Sequence, residues 1–165
     1  MNILRPEPLT AAAFAPFGDV LEAAGDFRLI NAGFCQRHHD RARIDLGNDA
    51  RPGISIFRAE PRALPYEFDL VERHPDGSQA FLPMTEHPFL VIVAPDQSGR
   101  PGPPRAFLTN GAQGINLHRS TWHGVLTPLA APGLFAVVDR IGVDRIGDTA
   151  NLEEYTYPQA FVVSR

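Results

Sequence analysis

Apolar and polar residues alternate along much of this chain with a period of two, the spacing of strands that bury one face. Through residues 66–74 the alternation puts Tyr66, Phe68, Leu70, Glu72 and His74 on one face and Glu67, Asp69, Val71 and Arg73 on the other. Pro75-Asp76-Gly77-Ser78 reads as a turn. Gln79 and Phe81 then share one face of the strand that follows, which predicts polar groups from two adjoining strands in one pocket. Residues 54–58 (Ile-Ser-Ile-Phe-Arg) are a β-branched strand, and residues 48–53 before them read as a loop. The run Phe89-Leu90-Val91-Ile92-Val93-Ala94 is apolar throughout and of strand length, which predicts burial on both sides. Residues 134–138 predict another buried strand. Shorter strands are expected at 20–22, 27–30 and 105–109, with an extended segment at 155–163. Asn110-Gly111 is the strongest turn signal, and Pro- and Gly-rich residues 95–104 read as a surface loop. Thr10 is placed to cap a short helix over 11–14. Asn151-Leu152-Glu153-Glu154 has the start of a capping box, hence a second short helix. Many short strands, sixteen prolines and little helix predict an all-β antiparallel barrel or jelly roll, one domain over residues 1–165.

Charge narrows the class of function. The chain has 165 residues, a net charge of -4 and no basic stripe, which argues against nucleic-acid binding. No apolar run is long enough to span a bilayer, and the first residues lack the pattern of a secretory signal. The single cysteine, Cys35, excludes an intramolecular disulfide and suits a reducing compartment, so a cytoplasmic location is expected. All fifteen basic residues are arginine. With no lysine there is no Schiff base and no phosphate-loop lysine. G-x-G-x-x-G and G-x-S-x-G patterns are absent too.

What remains for chemistry is His, Arg, Asp and Glu. Glu72 and His74 continue an apolar face inward, and a buried carboxylate needs a cation, a proton or strong donors. They form either a functional pocket or a satisfied structural pair near a barrel rim. His118 and His123 have opposite strand parity, so both point inward only if a turn or bulge near Arg119 and Ser120 intervenes. Such a turn would bring His123 toward His74, while Trp122 packs in the core. Arg119 and Arg140 offer forks for a carboxylate, although Arg140 equally suits a structural pair with Asp139 or another acid. Residues 35–40 are dense in potential ligands, but a solvated strand end is the simpler reading for His39, and a small buried thiol for Cys35.

Glu72-Arg73-His74-Pro75 followed by Gln79, Phe81 and Pro83 resembles the signature of ureidoglycolate lyases, also called ureidoglycolate hydrolases. So does Asn116-Leu117-His118-Arg119 running into Trp122-His123. The similarity extends end to end, through Pro8-Leu9, Phe17-Gly18-Asp19-Val20, His39-Asp40, Ile54-Ser55-Ile56, the segment from Arg105 to Gly111, and Asp139-Arg140. The resemblance implies a cupin-type jelly roll, a homodimer, and cleavage of ureidoglycolate to glyoxylate and urea in allantoin breakdown. The wider cupin pattern falls here on Glu72, His74, Gln79 and His123, with one His replaced by Glu and the Glu by Gln. That set still suits a divalent metal such as nickel or zinc, and no organic cofactor is implied.

The substrate so implied carries a hydroxyl, a ureido nitrogen and a carboxylate on one carbon. His74 and His123 are the candidates for acid–base work, and Glu72 for orienting an imidazole or completing a metal site. Arg119, Arg140, Gln79 and His118 are the candidates for substrate binding. The alternatives are another metal-dependent cupin enzyme, an isomerase or dioxygenase acting on a small organic acid, and a non-catalytic small-acid-binding cupin. Release of urea and glyoxylate separates all three.

Overall fold

The computed structural model describes residues 2–142 and 151–165. Two β-sheets carry most of the chain. One has eight strands; its main path runs Asn2–Leu4, Glu153–Val163, Tyr66–Arg73, Trp122–His123, Phe89–Ala94, Arg105–Leu108, Glu7–Pro8, and Thr127–Pro128 also pairs with Phe89–Ala94. The other has five strands in the order Gly18–Leu21, Gly114–Leu117, Gln79–Pro83, Gly133–Gly142, Ala50–Ala59. Pairing within both is antiparallel except for the two edge pairs made by Asn2–Leu4 and Glu7–Pro8. The architecture is the all-β antiparallel barrel that the strand pattern predicts, and of the cupin type that the resemblance implies. The helix Ala11–Phe14 forms as expected, with Thr10 Oγ1 accepting the Ala13 N–H at 3.2 Å.

The main core lies between the sheets. Phe89, Val91, Val93 and Phe107 from one meet Phe81, Ile115, Leu117, Phe135 and Val137 from the other, and Phe89 and Phe135 meet edge to face at 5.0 Å. Side-chain alternation sends Leu90, Ile92 and Ala94 the opposite way, into a second core with Phe68, Val71, Trp122 and Val163. Phe89–Ala94 is therefore buried at all six positions. Each such large apolar side chain contributes roughly 1.5–3 kcal/mol by leaving water.

Several expectations are corrected. Phe68 and Val71 occupy the same core, so the alternation breaks between them. The neighbouring strand shifts register alongside, between Thr156 and Phe161, and Glu72 does not share the face of Phe68. The strands Tyr66–Arg73 and Gln79–Pro83 lie in different sheets, so the turn at Pro75 crosses between layers. Asn110-Gly111 makes a turn, with Gly111 at φ 92°, but it too joins the two sheets. The strand expected at 54–58 begins at Ala50 and forms an edge. Gly133–Gly142 is buried on one side only, through Phe135 and Val137. No helix forms at Asn151; a strand starts at Glu153, the Asn151 side chain accepting from Asp76 in the neighbouring turn and Glu153 from Arg73.

Candidate active site

Glu72 sits directly opposite His123 in the antiparallel pair Tyr66–Arg73 and Trp122–His123. His74 lies one turn of the pleat beyond Glu72. The ligand atoms of Glu72, His74 and His123 all fall within 4.8 Å of one another, and the two imidazole centroids are 5.2 Å apart. The turn that aims His123 inward is present. Ser120 adopts φ 62°, its N–H donates to the His74 carbonyl at 3.0 Å, and the Thr121 N–H donates to His118. After this turn Trp122 faces the second core and His123 faces the space between the sheets.

Main-chain carbonyls orient both imidazoles. His74 Nδ1 lies 2.8 Å from the Asn151 oxygen, and His123 Nδ1 lies 3.0 Å from the Gly124 oxygen. A carbonyl can only accept, so each Nδ1 carries the proton and each Nε2 holds a lone pair. Both Nε2 atoms are buried without a partner among the described residues, as is Gln79 Oε1. Unpaired buried acceptors are costly, at about 1–3 kcal/mol each, and imidazoles held at Nδ1 by a carbonyl are the usual arrangement around a metal. The His–Glu–His group therefore fits a divalent cation. Burial pushes the Glu72 carboxyl up, an effect opposed by His74 and reinforced by Glu154. Burial, with repulsion from His74, lowers His123 to about 4, so this imidazole is neutral near pH 7.

Gln79 belongs to the facing sheet and shares the inward parity of Phe81; its Nε2 donates to Asp139 Oδ2 at 3.1 Å. His118 and Arg119 line an open polar cleft of about 390 Å³ with Asp19, Arg43, Asp45 and Ser78. Both are engaged there. His118 Nε2 is 3.1 Å from Asp19. Arg119 forks onto Asp45, with Nε at 2.8 Å and Nη2 at 2.5 Å, which holds the Asp45 carboxyl below its usual range. Asp45 is fixed in turn through its backbone, which exchanges hydrogen bonds with Ser78. Arg140 donates to the carbonyls of Leu46 and Asn48, both at 3.0 Å, and lies 3.6 Å from Asp76, so among the described residues Asp76 rather than Asp139 is an acid it pairs with. Gly77 permits this packing, since a Cβ there would lie 2.7 Å from the Asp45 oxygen. A cleft of comparable size beside Arg62 and Arg165 holds none of these residues.

Residues 35–40 are not part of the site. Cys35–Arg37 pairs with Arg28–Ile30 in a separate hairpin, Cys35 is only half-buried, and His38 contacts Ala24 and Arg41. Two residues near the site escape the sequence reading. Asn151 looks like a helix cap, yet its side chain accepts the Asp76 N–H at 2.7 Å while its carbonyl holds His74. Asp45 sits in an unpatterned loop with no local signal for its pairing to Arg119.

The structure is a cupin-type β-barrel with a histidine–carboxylate cluster between its sheets, an arrangement that suits a small-molecule enzyme. The comparisons then give the family: the ureidoglycolate lyase family model matches residues 1–164, and the chain belongs to that family. A ureidoglycolate lyase of Rhodobacter capsulatus is 57% identical over 164 residues, covering 99% of each chain. One from Chelativorans sp. is 53% identical, covering 99% of this chain and 97% of the relative. Ureidoglycolate lyase 1 of Rhizobium meliloti is 48% identical, covering 98% and 94%.

Proposed function

We propose that this protein is a ureidoglycolate lyase that splits ureidoglycolate into glyoxylate and urea. Whole-chain family membership supports the reading, and one observation carries it at the site: two imidazoles brought together with their Nε2 lone pairs free. In the elimination the hydroxyl proton leaves and its electron pair closes the aldehyde C=O. The C–N bond breaks, its pair goes to the urea nitrogen, and that nitrogen takes a proton. The net change is one proton moved from oxygen to nitrogen.

His74, the less buried imidazole, carries that proton at Nε2, first as base and then as acid. His123 stays neutral and orients the hydroxyl. Glu72, close to both, stabilises the imidazolium while it lasts. Arg119 takes the substrate carboxylate in its fork, exchanging Asp45 for it. His118 and Gln79 line the approach, and Arg140 holds the loop that carries Asp45. Glu72, His74, Gln79 and His123 also fit a divalent cation, nickel or zinc, which when bound would polarise the carbinol oxygen. One lone pair cannot hold both a proton and an ion, so the two roles of Nε2 exclude each other.

The functional unit is a homodimer. Ile56, Ala136 and Leu82 align across three strands of the five-stranded sheet, and Ile54 and Ile56 are 76% and 60% exposed, an apolar face that suits a second copy. No helix among the described residues is long and apolar enough to cross a membrane, and the free Cys35 suits the cytoplasm. Release of urea and glyoxylate by the wild type, compared with His74→Ala and His123→Ala, tests the proposal. Undiminished rates in both folded variants reject it.

A further inference from the structure

The face of the eight-stranded sheet turned away from the histidines carries a charged cluster of its own. Arg73 falls between Glu72 and His74, and alternation sends it to the opposite face. Its guanidinium carbon lies 4.4 Å from the Trp122 ring centroid. Nη1 donates to Asp96 Oδ1 at 2.9 Å and Nε to Glu153 Oε2 at 2.6 Å. Trp122 Nε1 donates to the same Asp96 oxygen at 3.0 Å, and the Gly99 N–H to the other at 3.1 Å. These anchors stand on four neighbouring strands: Glu153–Val163, Tyr66–Arg73, Trp122–His123, and Phe89–Ala94 as it runs on toward Asp96.

The middle two strands are the ones that carry the site. Glu72 and His74 flank Arg73, and His123 follows Trp122. The strand Trp122–His123 is two residues long and meets Tyr66–Arg73 at the single pair His123–Glu72. A ladder that short holds its register weakly; the Ser120 N–H to the His74 carbonyl and the pairing of Trp122–His123 with Phe89–Ala94 support it along the main chain, and the side chains behind it add a further tie. The Arg73 side chain is only 16% exposed, where stacking and ion pairing are least screened.

We infer that Arg73 is a positioning residue for the reaction. Stacked on Trp122 and tied to Asp96 and Glu153, it sets the distance between His74 with Glu72 on one strand and His123 on the next, without touching substrate. The inference rests on the lyase reading above. Its leverage is geometric, since a displacement of about 1 Å can cost about a hundredfold in rate.

Arg105 supplies an internal control. It forks onto Glu7 at 3.0 and 3.1 Å and lies 4.8 Å from the Phe107 centroid, the same chemistry at the edge of the same sheet. Turnover of ureidoglycolate is measured for Arg73→Ala, Arg73→Lys, Trp122→Phe and Arg105→Ala, each well below its own melting temperature. In Arg73→Ala kcat falls about tenfold to a hundredfold, with KM within about threefold of the wild type. Arg73→Lys recovers part of the loss, because an ammonium cannot stack and fork together. Trp122→Phe, which keeps an aromatic face under the guanidinium, retains most of the wild-type kcat. Arg105→Ala melts earlier but keeps kcat within about twofold. Unchanged kcat in Arg73→Ala, or an equal loss in Arg105→Ala, overturns the inference. If Arg73→Ala does not fold, Arg73→Lys against Arg105→Ala decides it by the same criterion. A loss in His74→Ala with none in Arg73→Ala rejects this inference alone, whereas no loss in either His74→Ala or His123→Ala rejects the lyase reading.

Discussion

The Nδ1–H of His74 donates to the main-chain oxygen of Asn151 at 2.8 Å, across 77 residues of sequence. The same asparagine accepts the Asp76 N–H through its buried side chain at 2.7 Å. One residue thus pins both ends of the turn that leaves the site strand, and fixes which nitrogen of His74 faces the interior. Removing the side chain in Asn151→Ala should cost about 1–3 kcal/mol in a urea titration and lower kcat about tenfold or more. Asn151→Asp, which keeps an acceptor for Asp76, should restore most of both. Wild-type kcat in Asn151→Ala would remove this asparagine from the account.

Acid should destabilise the protein through His123. Its pKa falls from 6.5 to about 4 on folding, so between those values the unfolded chain binds more protons than the folded one. Stability then drops as pH falls below 6.5, by on the order of 3 kcal/mol at pH 4. Glu72 acts in the opposite sense: burial raises its pKa above 4.5, so its contribution is present at low pH and lost as pH rises through the folded value. Urea midpoints of chelator-treated protein from pH 7 to pH 5 should decline for the wild type and flatten in His123→Gln. Parallel profiles would contradict the burial argument.

Arg119 is occupied by Asp45 in a half-exposed pair, with side chains 42% and 41% exposed. Such a pair is worth only about 0–1 kcal/mol, within reach of a competing carboxylate. Arg119→Ala should raise KM about tenfold with kcat largely kept. Asp45→Asn, which frees the fork, should lower KM about twofold to fivefold. A KM that ignores both changes would move the substrate carboxylate elsewhere.

The ion and proton roles of the two Nε2 atoms separate by chelation. Nickel or zinc at about a hundred times its dissociation constant should stabilise the apoprotein by about 2.7 kcal/mol, and Glu72→Gln or His123→Ala should abolish the shift. Turnover that survives exhaustive chelation assigns Nε2 to the proton; turnover that returns only with added metal assigns it to the ion. No stabilisation by either metal would leave the proton role alone.

The exposed row around Ile56 should close against a second copy. Sedimentation should report a dimer for the wild type and a monomer for Ile56→Arg, with the melting temperature of the variant lowered at low protein concentration. A monomeric wild type would refute the dimer.

Local pattern carried much of this reading. A continuous apolar run located Phe89–Ala94, the opposite parity of His118 and His123 required the turn that Ser120 makes, and Thr10 announced its helix. The failures share one cause. The break between Phe68 and Val71 follows a register shift in a strand some 85 to 95 residues away, and Asn151 gives up its local capping pattern to bond Asp76. The pairing of Arg119 with Asp45 spans 74 residues.

The amino-acid sequence by itself determined the class of fold, the residue types available for chemistry, and the two short segments that hold them. These depend on periodicity and turn chemistry, which act between near neighbours. Only the tertiary structure decided that Glu72 stands across from His123, that Arg73 and Trp122 clamp the same two strands from behind, and that Arg119 is already engaged. Those relations are hydrogen bonds and contacts between distant segments, and no local pattern encodes which distant partner a side chain will meet.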